Sequence, residues 1–396
     1  MQVTLRAICK DEKQKNEFYE VLKLICDQEK LQIEERGERV VIDVCPQGAI
    51  ECLENGNVIH MEAHTSHGGP GFHAFCVNLM EWVDEECDAQ CHVQDDCGYM
   101  ENPNFEHLKY EVFFPWLSDL KRLILEGTMQ HHNYYFDTTH YLPIHREDVI
   151  ITPCGFLDRK EFEEMDTERL APYFFLWINE ERDALFYKNC ALHLLAKEGY
   201  GMYACMNEQS EKYASAIVDY IEIAYSKDPA ITLPLQAYHE LCQLLHREEQ
   251  IQDGVMMDEE VSQYRLQEVY HLFHEWSIYA PGCCERSYDV IHDELYLMAP
   301  YENAESGWEW MWKISTHLQE PSHWTTVKEN GEKWQNETVN GQYLVSNKDE
   351  YDHLQAILYG EHPLYIEIVI RDEKDIPYLK TCIRRCQYHL HPITAE

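Results

Sequence analysis

Three imidazoles surround one glycine-rich turn in this chain, His64-Thr65-Ser66-His67-Gly68-Gly69-Pro70-Gly71-Phe72-His73. Neutral imidazole is a common ligand for zinc and related ions. Glycines that open a helix leave backbone N–H groups free to cradle an anion, because a helix N-terminus carries orphan donors and partial positive charge. His64, His67, Gly68, Gly69, Gly71 and His73 are therefore the candidate ligand-binding residues, for an anion, a small ligand or a metal of unknown identity. Glu62, at the end of the preceding strand, is the nearest carboxylate for acid or base work. The same residues also have a structural reading, in which the glycines permit a tight crossover, Pro70 stiffens it and His73 falls on the first helical turn. The turn matches neither the Gly-Lys-Ser/Thr of a phosphate loop nor a GxGxxG dinucleotide turn, and HExxH occurs nowhere. No cofactor is implied and no catalytic residue is assigned.

A second group, Cys87, Cys91, His92 and Cys97, could offer three thiolates and an imidazole to a metal. Zinc sites usually bring thiolates in close pairs with a second pair further along, whereas this whole set is packed together, so chance accumulation in a cysteine-rich chain competes. Cys382 and Cys386 share a face of an expected helix and read as core, since free cysteine is mostly buried. Trp308, Trp310 and Trp312 alternate, which puts all three on one face of a strand as an aromatic core layer or a binding platform. There is no Gly-x-Ser-x-Gly elbow, and with 16 cysteines and 22 histidines a Cys/His pair can be drawn almost anywhere.

Periodicity supplies the elements that must position these residues. Residues 3–8 alternate as a strand, Asp11 opens a helix with Phe18, Val21, Leu22 and Ile25 on one face, and Val40–Val44 is a strand. Strands around 49–53 and 58–62 flank Glu54-Asn55-Gly56-Asn57, whose Asn-Gly pair signals a hairpin. The last of these runs into the histidine-glycine turn, and Phe72–Val83 is helical. Residues 84–110 are polar and turn-rich, Phe113–Leu125 is an aromatic helix, and a loop from Thr128 to Pro143 leads onward. The middle contains a short strand at Val149–Thr152, a capping box from Asp158 to Glu161, and helical residues from Tyr173 to a stop at Gly199. A further helix runs from Asn207 to the stop at Asp228-Pro229, and another carries Leu235, Tyr238, Leu241 and Leu245. After an acidic linker, Arg247–Glu260, strands are expected at Glu268–Phe273, Trp276–Ala280, Glu294–Met298, Trp308–Ile314, Gly341–Ser346 and Tyr365–Ile370, with a closing helix at Lys374–Tyr388. The expected class is α+β in three domains: an N-terminal α/β domain (1–127), a mainly helical domain (144–247) and a C-terminal antiparallel α+β sandwich (261–396).

The segment Trp276-Ser277-Ile278-Tyr279-Ala280-Pro281-Gly282, followed by antiparallel strands and a last helix, resembles the opening of Mog1/PsbP/DcrB-like domains, in which a tryptophan-containing strand runs into a proline. The resemblance covers the last third of the chain and implies a fold but no activity. Phe174-Phe175-Leu176-Trp177 and Arg182-Asp183-Ala184 resemble an uncharacterised bacterial family.

Charge narrows the function classes. In 396 residues, 32 basic side chains stand against 72 acidic ones, for a net charge of −40 spread along the chain. Such a field repels a phosphate polyanion, so nucleic acid is not expected as a partner. It serves solubility, or it complements a basic protein partner such as a toxin or nuclease. No basic-then-apolar leader and no long apolar run is present, so neither secretion nor a membrane partner is expected, and the expected compartment is cytoplasmic with reduced thiols. The leading expectation is an immunity-like protein–protein interaction module. The alternative is a hydrolase or small-ligand-binding protein centred on the His64–His73 turn.

Overall fold

Val3, Leu5 and Ala7 are fully buried while their neighbours are not, so the strand β1 (Gln2–Ile8) has one face turned to a core. The Asp11 carboxylate accepts the amide of Gln14 at 3.0 Å and starts α1 (Glu12–Glu29), whose buried Phe18, Leu22, Ile25 and Cys26 follow the helical repeat. The strands β2 (Gln32–Arg36), β3 (Arg39–Cys45), β4 (Gly48–Asn55) and β5 (Val58–His64) then form a meander. Asn55 pairs with Val58, so the hairpin loop is Gly56-Asn57, one residue later than the Asn-Gly pair, with Gly56 at φ 61. After α2 (Pro70–Glu86), β6 (Gln90–Asp95) adds to the far side of β1. The resulting antiparallel sheet has the order β2-β3-β4-β5-β1-β6. Helix α2 packs on β1, β6 and α1 with Phe72, Cys76, Met80 and Val83 buried.

The computed structural model describes residues 1–37, 39–126, 149–204, 208–257, 268–281, 284–300, 308–317, 321–348 and 350–389. The expected loop from Thr128 to Pro143, the helix start at Asn207, and the end of the acidic linker from 258 lie outside them. A helical stretch follows β6: α3 (Phe105–His107), a π-helical turn (Leu108–Phe113) and α4 (Phe114–Leu125). The hairpin β7 (Val149–Thr152) and β8 (Gly155–Asp158) leads into α5 (Arg159–Glu164), and the expected cap is present, since Asp158 accepts the Glu161 amide at 2.9 Å. Then come α6 (Thr167–Phe174), α7 (Ala184–Ala204), which runs on through Gly199, and α8 (Glu208–Lys227). A parallel pair of two-residue strands, β9 (Thr232–Leu233) and β10 (Val255–Met256), brackets α9 (Leu235–Leu244). Two compact units result. One takes in Met1–Gln130, Asp148–Leu194 and Ala216–Asp258, the other Leu195–Ser215 and Glu259–Glu396, so the residues expected to form a separate helical domain are shared between them.

In the second unit, β11 (Glu268–Phe273) and β12 (Trp276–Pro281) form an antiparallel pair. The strands β13 (Glu285–Asp289), β14 (Glu294–Pro300) and β15 (Trp308–Ser315) are followed by α10 (Pro321–Asn330). Next come β16 (Glu332–Gln335), β17 (Asn340–Lys348), β18 (Tyr351–Tyr359) and β19 (Leu364–Ile370), and the chain closes with α11 (Ile376–Arg385) and β20 (Gln387–Tyr388). Seven strands form one antiparallel sheet in the order β13-β14-β15-β19-β18-β17-β16, while β20 adds to β12. The α+β class follows directly. One core draws Trp276 and Ile278 from β12, Trp310 and Trp312 from β15, Ile366 and Ile368 from β19, and Leu379 and Ile383 from α11. On the opposite face of the sheet Ile357 and Tyr365 pack with Trp324 and Val327 of α10. Trp310 and Trp312 are thus core, as are Cys382 and Cys386. No helix among the described residues is long and apolar enough to cross a membrane.

Candidate functional site

His73 stands on the first turn of α2 with no exposed surface, and both of its ring nitrogens are engaged. Nδ1 is 2.7 Å from the Thr65 hydroxyl, just beyond β5, and Nε2 is 2.7 Å from Asp95 Oδ1, at the end of β6. Asp95 Oδ1 also accepts the Cys97 amide at 2.7 Å, while Oδ2 accepts the amides of Tyr99 and of Met100, the latter at 3.0 Å. Burial works against the Asp95 charge, but the His73 contact and these amides outweigh it and hold the carboxyl down at about 2. Sequence order conceals the group. Thr65 and Asp95 lie 8 and 22 residues from His73, and Asp95 belongs to a strand in a stretch expected to be turns. Residue types gave no signal that could have found it.

A Thr-His-Asp series has the composition of a nucleophile, a base and an orienting acid. Its exposure decides against that role: Thr65 and His73 are 0% exposed and the Asp95 side chain 1%, so no substrate atom can approach the hydroxyl. Metal binding meets a similar obstacle. His73, Asp95, Asp96 and Cys97 bring one donor atom each within 4.8 Å of one another, the one such group among the described residues. The His73 nitrogens and both Asp95 oxygens already serve hydrogen bonds, and Cys97 donates to Asp96 Oδ1 at 3.2 Å. Burial and Asp96 push the Cys97 thiol well above its ordinary range, so the thiolate that a metal needs is disfavoured. This arrangement is a clasp that closes β5, α2 and β6 on one another.

The other histidines of the turn have different surroundings. His64 is exposed, with Nε2 3.0 Å from Glu62 Oε1. His67 stands edge-on to Trp116, ring centres 5.7 Å apart, and burial pulls its pKa down. The glycines serve another part of the chain. The Gly71 amide donates to the Trp177 carbonyl at 3.0 Å and the Trp177 amide to the Gly68 carbonyl at 3.0 Å, in the manner of two paired strands. The amides of Gly69 and His73 donate to Thr65 and Gly69 carbonyls, and Pro70 has none. A β-carbon on Gly71 would lie 2.0 Å from Trp177 Cδ1 and 2.4 Å from the Asn179 carbonyl; one on Gly69 would lie 2.6 Å from the Trp177 carbonyl. The cradle that could have received an anion is filled by the chain's own residues 175–179.

Both short phrases singled out in the sequence meet at this place. Trp177 packs on Phe75 and Phe186, and the Arg182 guanidinium lies 4.7 Å from the Phe75 ring centre and 5.0 Å from that of Trp177. Asp183 caps α7 by accepting the Phe186 amide at 2.9 Å. The cysteine group divides instead of converging. Cys87 and Cys91 place their sulfurs 3.3 Å apart, Cys97 belongs with Asp96, and His92 is exposed beside Gln94. Adjacent residues of a strand point to opposite faces, so Cys91 and His92 cannot share a ligand.

One surface feature remains. Glu81, Asp84, Glu85, Glu86 and Asp88 crowd the C-terminal end of α2, all but Glu81 exposed, and no cation among the described residues pairs with any of them. The last turn has no basic residue. Burial raises the Glu81 pKa, and repulsion from Glu85 and Asp84 adds to it. No family model matches the chain, and no curated protein or solved structure does.

Proposed function

We propose that the protein binds a basic protein partner through the acidic end of α2. The carrying observation is the placement of Asp84, Glu85, Glu86 and Asp88 where the helix already presents partial negative charge, with no basic residue in the last turn. Each carboxylate at a helix C-terminus costs about 0.3–1 kcal/mol, and a lysine there would contribute as much. Solubility alone needs charge somewhere on the surface and gives no reason to concentrate it at this end. The sealed Thr65-His73-Asp95 group and the occupied glycine turn also favour binding over chemistry, since neither exposes a reacting atom.

The test compares two variants of equal charge. In one, Asp84, Glu85, Glu86 and Asp88 become the matching amides; in the other, Glu329, Glu337, Glu361 and Glu373 become glutamine. Proteins retained by each immobilised variant and by the parent are identified at low and high salt. The expected result is a basic protein held by the parent and the control but lost from the α2 variant and at high salt. Equal retention by both variants would show that the α2 end has no special part.

A further inference from the structure

We propose that Cys87 and Cys91 form a reversible dithiol–disulfide pair that hydroperoxides oxidise, independently of whether the α2 surface binds a partner. Cys87 is the residue just after α2, in extended conformation, and Cys91 sits on the edge strand β6, with Asp88 and Ala89 as the turn between helix and strand. Their sulfurs are 3.3 Å apart. A disulfide needs about 2.0 Å, a difference that side-chain rotation and a small adjustment of the turn can supply. Neither residue is held inside a helix and both are half-buried, so a small oxidant can arrive.

The two thiols are unequal. The contact with Cys91 and the Ala89 amide favour a negative Cys87 sulfur against burial and the repulsion of Asp84 and Asp88, and lower its pKa. The same contact, together with burial, pushes Cys91 upward. The Ala89 amide is a backbone donor at the Cys87 sulfur, which makes Cys87 the attacking sulfur and Cys91 the resolving one. The buried Cys26, Cys45, Cys76 and Cys190 are pushed up by desolvation, which leaves them inert.

The chemistry closes in two steps. The Cys87 thiolate attacks one oxygen of hydrogen peroxide, forming an S–O bond, breaking the O–O bond and releasing hydroxide. The Cys91 sulfur then attacks the Cys87 sulfenic acid; the S–S bond forms, the S–O bond breaks, and the hydroxyl leaves with the Cys91 proton as water. Two sulfurs are oxidised and one peroxide is reduced. The new bond ties the residue that ends α2 to β6, next in the chain to Asp84, Glu85 and Glu86.

The full-length reduced protein is treated with hydrogen peroxide, then alkylated and mapped by mass spectrometry. The expected product is about 2 Da lighter, carries one Cys87–Cys91 link and returns to the dithiol with dithiothreitol. Cys87 in the untreated protein should alkylate faster than Cys91 at neutral pH. In C91S, Cys87 should accumulate as a sulfenic acid trapped by dimedone, and C87S should form no link. Cys9 is the competitor to watch, a buried thiol that Cys87 itself helps to push up. A Cys9–Cys87 link, or equal alkylation of Cys87 and Cys91 without a link after peroxide, would overturn the proposal, and because these measurements use the parent chain they do not depend on the variants folding.

Discussion

His73 shows how much one buried side chain can be asked to hold. Its two nitrogens join a hydroxyl from the end of β5 to a carboxylate from the end of β6, and that carboxylate gathers the amides of Cys97, Tyr99 and Met100. Removing the ring takes one hydrogen-bond partner from the buried Asp95 carboxylate and one from the buried Thr65 hydroxyl, at a cost of about 3 kcal/mol. His73→Phe, which keeps a ring of similar size, should lower stability by that amount in urea unfolding. Asp95→Asn should cost less, because the amide oxygen can still accept backbone N–H groups. The pH dependence has a definite sign. Asp95 is more acidic folded, at about 2, than an ordinary aspartate near 3.9, so its stabilisation is complete above about pH 4 and is lost as pH falls towards 2. The difference in unfolding free energy between parent and Asp95→Asn should shrink over that interval and be constant above it. A difference that stays flat down to pH 2 would mean that Asp95 is not held as the carboxylate. His73 was recognisable from the sequence as a residue worth attention, but its partners were not, because hydrogen-bond geometry in a folded sheet leaves no trace in spacing along the chain.

At the scale of elements, the glycine turn and the Phe175-Leu176-Trp177 segment are one construction. The turn's glycines are where another backbone comes within hydrogen-bonding distance, which a side chain would prevent. Gly71→Ala should therefore cost about 3 kcal/mol, since its β-carbon would meet both the Trp177 ring and the Asn179 carbonyl. Gly56→Ala is the instructive contrast. Its β-carbon would meet nothing within 4 Å, so only the left-handed backbone conformation resists it, at about 1 kcal/mol. Urea midpoints that place the two variants together would sink the close-approach argument. Elements with a clean period were legible: α1 by its apolar stripe, β1 by alternation, and β11, β12, β14, β15, β17 and β19 to within a few residues. Those with no clean period were missed. In β18, residues Leu354 to Leu358 are all buried because both faces of the sheet are covered, one by the main core and the other by α10, so alternation disappears. In β6 the difficulty is the reverse, because Val93 is the one buried apolar residue on this polar edge strand. Gly199 did not stop α7, which runs on to Ala204; a glycine inside a helix costs only roughly 1 kcal/mol.

For the whole molecule, a charge of −40 is a standing cost to the folded state, since compaction brings like charges together. Salt screens that repulsion, and screening also weakens attraction to a basic partner. The two effects separate a surface kept for binding from one kept for solubility. If the α2 end is a binding surface, neutralising Asp84, Glu85, Glu86 and Asp88 should stabilise the free protein by about 0.3–1 kcal/mol for each carboxylate at the negative end of the helix, and should at the same time slow capture of the basic partner. Added salt should raise the melting temperature of the parent more than that of the variant. The control variant, with Glu329, Glu337, Glu361 and Glu373 neutralised, should leave capture near the parental rate even though it changes net charge by a similar amount. Stability gained with no loss of capture would mean that these carboxylates repel one another without recognising anything. Stability gained together with lost capture would locate the function in the part of the surface that folding alone would have arranged otherwise.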